Sequence, residues 1–126
     1  MQYIYQATLE RVVDGDTVDI VIDLGFSVFR RERIRLYGID APEINTEAGK
    51  LAKAFVEGWF RDNPKFFIET IVVDGKGVSK RDKYGRYLGV IAERYSDLSD
   101  PVSMDATHQT LNGQLITSGH AKARVW

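Results

Sequence analysis

An α+β fold dominated by β-structure is what this sequence predicts, and three observations predict it. Residues 17–24 alternate apolar and polar side chains, the period of a half-buried strand. Residues 46–60 switch to helical spacing. Residues 66–74 and 86–95 are β-branched and aromatic runs separated by a polar, glycine-containing connection. Strands therefore lead and helices pack on them, the pattern of an α+β domain.

Taken in order, the run 5–13 is expected to pair with the strand 17–24, in which Val18, Ile20, Ile22 and Leu24 alternate with Asp19, Val21 and Asp23. Gly25 makes a turn into a third strand, 27–36, whose middle is heavily basic. Asp40-Ala41-Pro42-Glu43 then breaks the sheet, because Pro42 has no N–H to donate and disfavours a helical conformation at Ala41. In the helix over 46–60, Leu51, Phe55 and Trp59, with Ala48, Ala52 and Val56, form one apolar face, while Lys50, Lys53 and Glu57 face water. Thr46 or Asn45 caps it. The runs 66–74 and 86–95 form a hairpin with a long connection that includes Asp74-Gly75-Lys76-Gly77. A second helix is expected between 103 and 118, with Leu111, Leu115 and Ile116 inward, Gly113 weakening it and Gly119 ending it. Five short strands with a helix after the third suggest a five-stranded OB-type Greek-key barrel with two to three packed helices, an architecture whose grooves take oligonucleotides.

A chain of 126 residues fits one domain, 1–126, and can bury a sizeable core. Its 44% hydrophobic and 28% charged content is that of a soluble globular protein. No apolar run is long enough to cross a bilayer, so no membrane partner is expected. Met1-Gln2-Tyr3-Ile4-Tyr5 lacks a basic patch followed by an apolar stretch, so no signal peptide is visible. The expected location is the cytoplasm, or outside the cell after trimming of a precursor. A monomer is the expected state. The absence of cysteine excludes disulfides, thiolate zinc sites and cysteine nucleophiles. With only two histidines, His108 and His120, any metal is expected to be hard and oxygen-bound. Net charge is −1, but the charge is uneven: Arg30, Arg31, Arg33 and Arg35 cluster, as do Lys76, Lys80, Arg81, Lys83 and Arg86. A basic face on a near-neutral protein attracts phosphate with modest, salt-sensitive affinity, although scattered solvated charge is the plainer reading.

Three short charged segments carry the chemistry: Asp14-Gly15-Asp16-Thr17, Arg35 through Asp40 to Glu43, and Asp82-Lys83-Tyr84-Gly85-Arg86. Singly, each has a plainer account. Asp-Gly-Asp-Thr commonly marks a turn, a lone arginine at a strand end snorkels or pairs with a carboxylate, and Glu43 suits the first turn of a helix. Together they supply oxygen ligands for a hard cation and two guanidinium forks for a phosphate. Asp16 and Asp40, with a backbone carbonyl, make a sparse Ca²⁺ or Mg²⁺ site. Arg35 and Arg86 suit the charge that grows on a phosphodiester as water attacks, and Glu43 suits a general base.

In order and separation, Val13-Asp14-Gly15-Asp16-Thr17, Arg35-Leu36-Tyr37-Gly38-Ile39-Asp40-Ala41-Pro42-Glu43 and Asp82-Lys83-Tyr84-Gly85-Arg86 resemble the staphylococcal nuclease family, with a further match at Asn112, Leu115, Ile116, Gly119, Ala121 and Lys122. The resemblance implies an OB-fold barrel and a Ca²⁺-dependent endonuclease that acts on DNA, preferably single-stranded, and RNA, leaving 3′-phosphates. It assigns Asp16, Asp40 and the Ala41 carbonyl to the metal, although the family usually has threonine where Ala41 stands. It assigns Glu43 to the general base and Arg35 and Arg86 to the phosphate, Arg86 also helping to protonate the leaving oxygen. Lys83 and Tyr84 fall to the terminal phosphate of a bound nucleotide. The family's base-stacking tyrosines follow the Ala-Lys segment. Here that stretch reads Ala123-Arg124-Val125-Trp126, which departs from the tyrosine pattern and makes Trp126 the candidate platform. Fewer basic residues than is usual for the family imply weaker nonspecific binding. The alternative function is a catalytically weak OB-fold module that binds nucleic acid.

Overall fold

The computed structural model describes residues 3–73, 78–99 and 110–125. The expected helix start at 103–109, His108 and the stacking candidate Trp126 lie outside the described residues. Chain order is β1 (Tyr3–Asp14), β2 (Thr17–Asp23), β3 (Phe29–Leu36), β4 (Ile39–Asp40), α1 (Glu47–Asp62), β5 (Phe66–Thr70), β6 (Val72–Val73), β7 (Val78–Ser79), β8 (Tyr87–Ala92), α2 (Ser96–Ser99), α3 (Leu111–Thr117) and β9 (Lys122–Ala123). Five of these strands close a barrel in the order β1-β2-β3-β8-β5, with β3 and β8 parallel and the other neighbours antiparallel. This is the mainly β, OB-type barrel that the strand spacing predicts. The hairpin expected from 66–74 and 86–95 forms as β5 and β8, with the short β6–β7 pair in its connection.

Alternation along the strands fills the barrel. Val18, Ile20 and Ile22 of β2, Ile34 and Leu36 of β3 and Phe66 and Ile68 of β5 are buried together. One end is sealed by α1, whose Val56, Trp59 and Phe60 join the same core, Phe60 meeting the Phe66 ring edge-on at 4.9 Å. Leu111 and Leu115 of α3 complete it.

The helix face differs from expectation. Leu51 is 55% exposed and Ala48 is also exposed, while Gly49, Ala52, Val56, Trp59 and Phe60 are buried. Small residues decide this: Gly49 and Ala52 let α1 come down onto the chain before it, and the bulkier Leu51 lies about 100° away around the helix. Thr46 is the cap, its hydroxyl accepting from Gly49 N–H at 3.0 Å.

The turn after β2 is also wider than expected. Gly25, Phe26 and Ser27 all have positive φ, so β2 ends at Asp23 and β3 starts at Phe29. The basic middle of β3 is neutralised by ion pairs, Arg31 and Arg33 on the outer wall and Arg30 at the open end of the barrel. Arg33 forks onto Asp19 at 2.8 and 3.1 Å, Arg31 pairs with Glu10 at 2.9 Å, and Arg30 pairs with Glu32.

The second long helix is shorter than 103–118, because Thr110 is extended and bridges Ala92. Thr110 caps α3 by accepting from Gly113 N–H at 2.9 Å, which places Gly113 in the first turn. The helix ends as expected at Gly119, whose N–H donates to Ile116 at 3.0 Å. Asn112 anchors α3 to the sheet. Its buried amide accepts from Ile91 N–H at 3.1 Å and donates to the carbonyls of Tyr37 at 2.8 Å and Gly89 at 3.1 Å. Among the described residues no helix is long and apolar enough to cross a membrane.

Candidate active site

The three charged segments meet at one edge of the barrel. Asp16 sits in the β1–β2 turn, where its own N–H donates to the Asp14 carboxyl at 3.1 Å and its carbonyl accepts from Leu36 N–H at 2.8 Å. Gly15 makes this placement possible. A Cβ there would stand 2.8 Å from the Cβ atoms of both Ala41 and Ala52, so only glycine lets the turn lie against α1 and the strand-breaking segment. That contact brings Ala41 N–H to Asp16 Oδ2 at 2.9 Å, while the Thr17 hydroxyl donates to Oδ1 at 3.1 Å.

Pairing of Thr17 with Arg35 carries β3 past this turn. Arg35 is only 4% exposed and its guanidinium is fixed on two sides. NH1 donates to the carbonyls of Leu36 at 2.8 Å and Ile39 at 2.9 Å. NH2 lies 2.5 Å from Asp40 Oδ1 and 3.3 Å from Asp16 Oδ2. Two carboxylates from elements far apart in sequence therefore converge on one nitrogen. Asp40 itself ends β4, which is held by β9 through the pairs Ile39 with Ala123 and Asp40 with Lys122. Arg124 adds a second contact to Asp40 Oδ1 at 3.2 Å.

Burial, reinforced by the neighbouring Asp14 carboxyl, raises the Asp16 pKa from 3.8 to about 6, against the lowering effect of Ala41 N–H and Arg35. A carboxylate held this high is an anion short of positive charge.

On the other wall, Asp82 organises Arg86. The Asp82 carboxyl, 2% exposed, accepts from the N–H groups of Tyr84 and Arg86, both at 2.9 Å, and from Arg86 Nε at 2.7 Å. Burial pulls the Asp82 pKa up, but these hydrogen bonds outweigh it and hold the group below the ordinary value. Arg86 NH1 makes only a long contact, 3.3 Å, to the Thr17 hydroxyl. Beside it, the Tyr84 ring is 72% exposed, with the Arg86 guanidinium 5.3 Å and the Lys83 ammonium 5.2 Å from its centroid.

Glu43 leads into α1. Its carbonyl accepts from the Thr46 hydroxyl at 2.6 Å and N–H at 3.0 Å, and a Cβ on Gly49 would lie 1.8 Å from that oxygen. The backbone is thus pinned while the exposed carboxyl has no hydrogen-bond or ion-pair partner among the described residues.

All eight residues singled out in the sequence, Asp16, Arg35, Asp40, Ala41, Glu43, Lys83, Tyr84 and Arg86, line one cleft of about 290 Å³. Asp14 and Arg124 also line it, and Asp82 supports it from beneath. Sequence reasoning assigns these three no role. The Asp82–Arg86 pair has a visible signal in its four-residue spacing, whereas Arg124 reaches Asp40 only through the β4–β9 pairing. His120 packs on the Phe55 ring at 5.0 Å and does not line the cleft, although it shares an adjoining hollow with Asp40 and Ala41.

In comparisons with known proteins, residues 33–126 match the family described as staphylococcal nuclease homologue, a span that holds seven of the eight residues and begins after Asp16. Protein ParB of Escherichia coli is 35% identical over 81 residues, which are 64% of this chain and 38% of that protein. The chain thus spans well under half the length of this relative.

Proposed function

The chain belongs to the staphylococcal nuclease homologue family, and on that premise we propose that it is a metal-dependent endonuclease. Its reaction is hydrolysis of phosphodiester bonds in DNA, preferably single-stranded, and in RNA, leaving 3′-phosphates. One observation carries this reading: Asp16 and Asp40 converge on Arg35 in the same cleft that holds Glu43 and Arg86. A domain that only bound nucleic acid would need the arginines but not two carboxylates facing inward and a third left unpaired.

The residues fit a hard divalent cation, Ca²⁺ or alternatively Mg²⁺. The available donors are carboxylate and carbonyl oxygens, and the raised pKa of Asp16 marks a buried anion that a cation would relieve. Asp16, Asp40 and the Ala41 carbonyl would hold it. Once bound, it supplies charge neutralisation for the phosphate and polarisation of a water.

The remaining work belongs to the chain. Arg86 is held at Nε by Asp82, which leaves the weakly engaged NH1 to turn onto a phosphate oxygen. Arg35, fixed through NH1, presents the edge that faces the carboxylates. Both guanidiniums donate to equatorial oxygens whose charge grows in the transition state. Glu43, whose carboxyl has no hydrogen-bond or ion-pair partner among the described residues, takes the proton from the attacking water. Lys83 and Tyr84 at the rim hold the neighbouring phosphate of the strand.

Cleavage assays on heat-denatured DNA and on RNA test this, with Ca²⁺, with Mg²⁺ or with chelator. Glu43→Gln is expected to lower the rate by about 100-fold or more with stability unchanged, and Arg35→Ala to lower it as much while also costing stability, because its buried carbonyl and its carboxylate partners lose their donor. Binding without cleavage in every metal would leave only the alternative of a nucleic-acid-binding module.

A further inference from the structure

Behind the loop that carries Lys83, Tyr84 and Arg86, the barrel opens into a second cavity of about 670 Å³ that contains none of the eight cleft residues. Its floor is the open end of the barrel interior: Tyr5 of β1, Ile22 of β2, Ile34 of β3 and Tyr87 of β8. Among the described residues its rim carries three cations, Arg30, Lys80 and Arg81, and one acid, Glu32, which pairs with Arg30. On one wall the hydroxyls of Thr70 and Ser79 meet at 2.9 Å.

Resting on the nuclease reading above, we infer that this mouth is a subsite for a nucleobase flanking the phosphodiester held in the cleft. Three features select that occupant. Tyr87 provides an aromatic floor that is already stacked: the Arg81 guanidinium lies 4.3 Å from its ring centroid and donates to its hydroxyl, and Arg30 lies 5.9 Å away. A guanidinium on a ring keeps its outer face available for another flat π-system, the way arginines stack on unpaired bases. The excess of positive charge at the rim suits the phosphate attached to such a base, and it argues against a purely apolar ligand. The paired hydroxyls offer donors and acceptors to a base edge.

Continuity with the cleft is given by the chain itself. Arg86 and Tyr87 are adjacent residues that point to opposite sides of the barrel wall, one lining the cleft and the other the mouth. Ser79, Lys80 and Arg81 face the mouth, and Lys83 and Tyr84 face the cleft, so the segment 79–87 is a ridge between the two. A single strand laid over that ridge places one phosphate in the cleft and a neighbouring base in the mouth. The mouth would therefore supply a base contact independent of the segment ending at Trp126.

The test uses Tyr87→Ala and, because that change touches the core edge, the exposed rim variant Arg81→Gln as well. Each is compared with the unsubstituted protein on a single strand of about 12 nucleotides and on a minimal nucleotide diester. The expected result is that the preference in kcat/KM for the long strand over the minimal diester falls about tenfold in each variant, through KM of the long strand. In parallel, strands carrying 2-aminopurine on either side of the cleaved bond are bound in chelator, where no hydrolysis proceeds. One position should show fluorescence quenching that is lost in Tyr87→Ala and reduced in Arg81→Gln. An unchanged length preference and unchanged quenching in folded Arg81→Gln would overturn the inference. If the protein cleaves nothing yet shows Tyr87-dependent quenching, the subsite stands and the nuclease reading fails, so the two are separable.

Discussion

Asp16 concentrates the physical tension of the site in one side chain. Its carboxyl binds a proton more tightly in the folded protein, at about 6, than in the unfolded chain, at 3.8. A group raised in this way favours folding when protonated. Without metal, stability should therefore fall as pH rises through that window, by up to about 3 kcal/mol from this residue. Glu69, raised by burial, contributes a change of the same sign, so the clean comparison is with Asp16→Asn. Urea midpoints of the metal-free proteins at pH 4 and pH 7 check this: the unsubstituted protein should lose more than the variant, and added Ca²⁺ should recover the loss at pH 7 only where Asp16 is present. Equal pH slopes in the two proteins would mean that Asp16 is not the strained carboxyl. Gly15→Ala tests the same site sterically. The added methyl meets Ala41 and Ala52 at 2.8 Å, so a loss of about 1–3 kcal/mol in stability and a weaker cation affinity are expected, measured by denaturant titration and calorimetry.

At the scale of elements, the site depends on how separate segments are clipped together. Asn112 holds three backbone groups from β8 and the turn before β4. Asn112→Ala removes these three bonds, of which the Gly89 carbonyl keeps a second partner in Tyr37 N–H, and should cost about 2–4 kcal/mol, read from denaturant midpoints. Asp82 plays the corresponding part for the 82–86 turn. Asp82→Asn removes a charge-assisted partner from Arg86 and should lower cleavage more than stability, a split that rates and melting curves can separate. Such clips also explain what a reader of the sequence can and cannot see. Asp16, Arg35, Asp40, Glu43 and Arg86 are legible because each lies in a short motif at a strand edge and the motifs occur in a recognisable order. Leu51 misleads because its helical spacing with Phe55 and Trp59 is correct, whereas the close packing of Gly49 and Ala52 that rolls the helix is a tertiary fact. Arg124 is not legible: its contact with Asp40 spans 84 positions and exists only once β4 and β9 pair.

For the whole molecule, the barrel sorts the charge of a protein whose net charge is −1. Arg30, Arg31 and Arg33 of β3 pair with Glu32, Glu10 and Asp19, while Lys80, Arg81, Lys83 and Arg86 lie together on the ridge between cleft and mouth, where a phosphate chain would meet them. Binding should accordingly rest on few phosphate contacts. The slope of log affinity against log salt for single-stranded DNA should be shallow, about −2 to −4, by fluorescence anisotropy in chelator. A much steeper slope would point to a wider basic surface than this one. The central proposal remains chemical: that Asp16, Arg35, Asp40, Glu43 and Arg86 in the cleft form a hydrolytic site. Mass spectrometry of a defined single strand after incubation with the protein tests it most directly. With Ca²⁺ or Mg²⁺ the strand should yield fragments ending in 3′-phosphates, and neither chelator nor Glu43→Gln should give them at a comparable rate. An intact strand in every metal, or equal cleavage by the Glu43→Gln protein, would contradict the account.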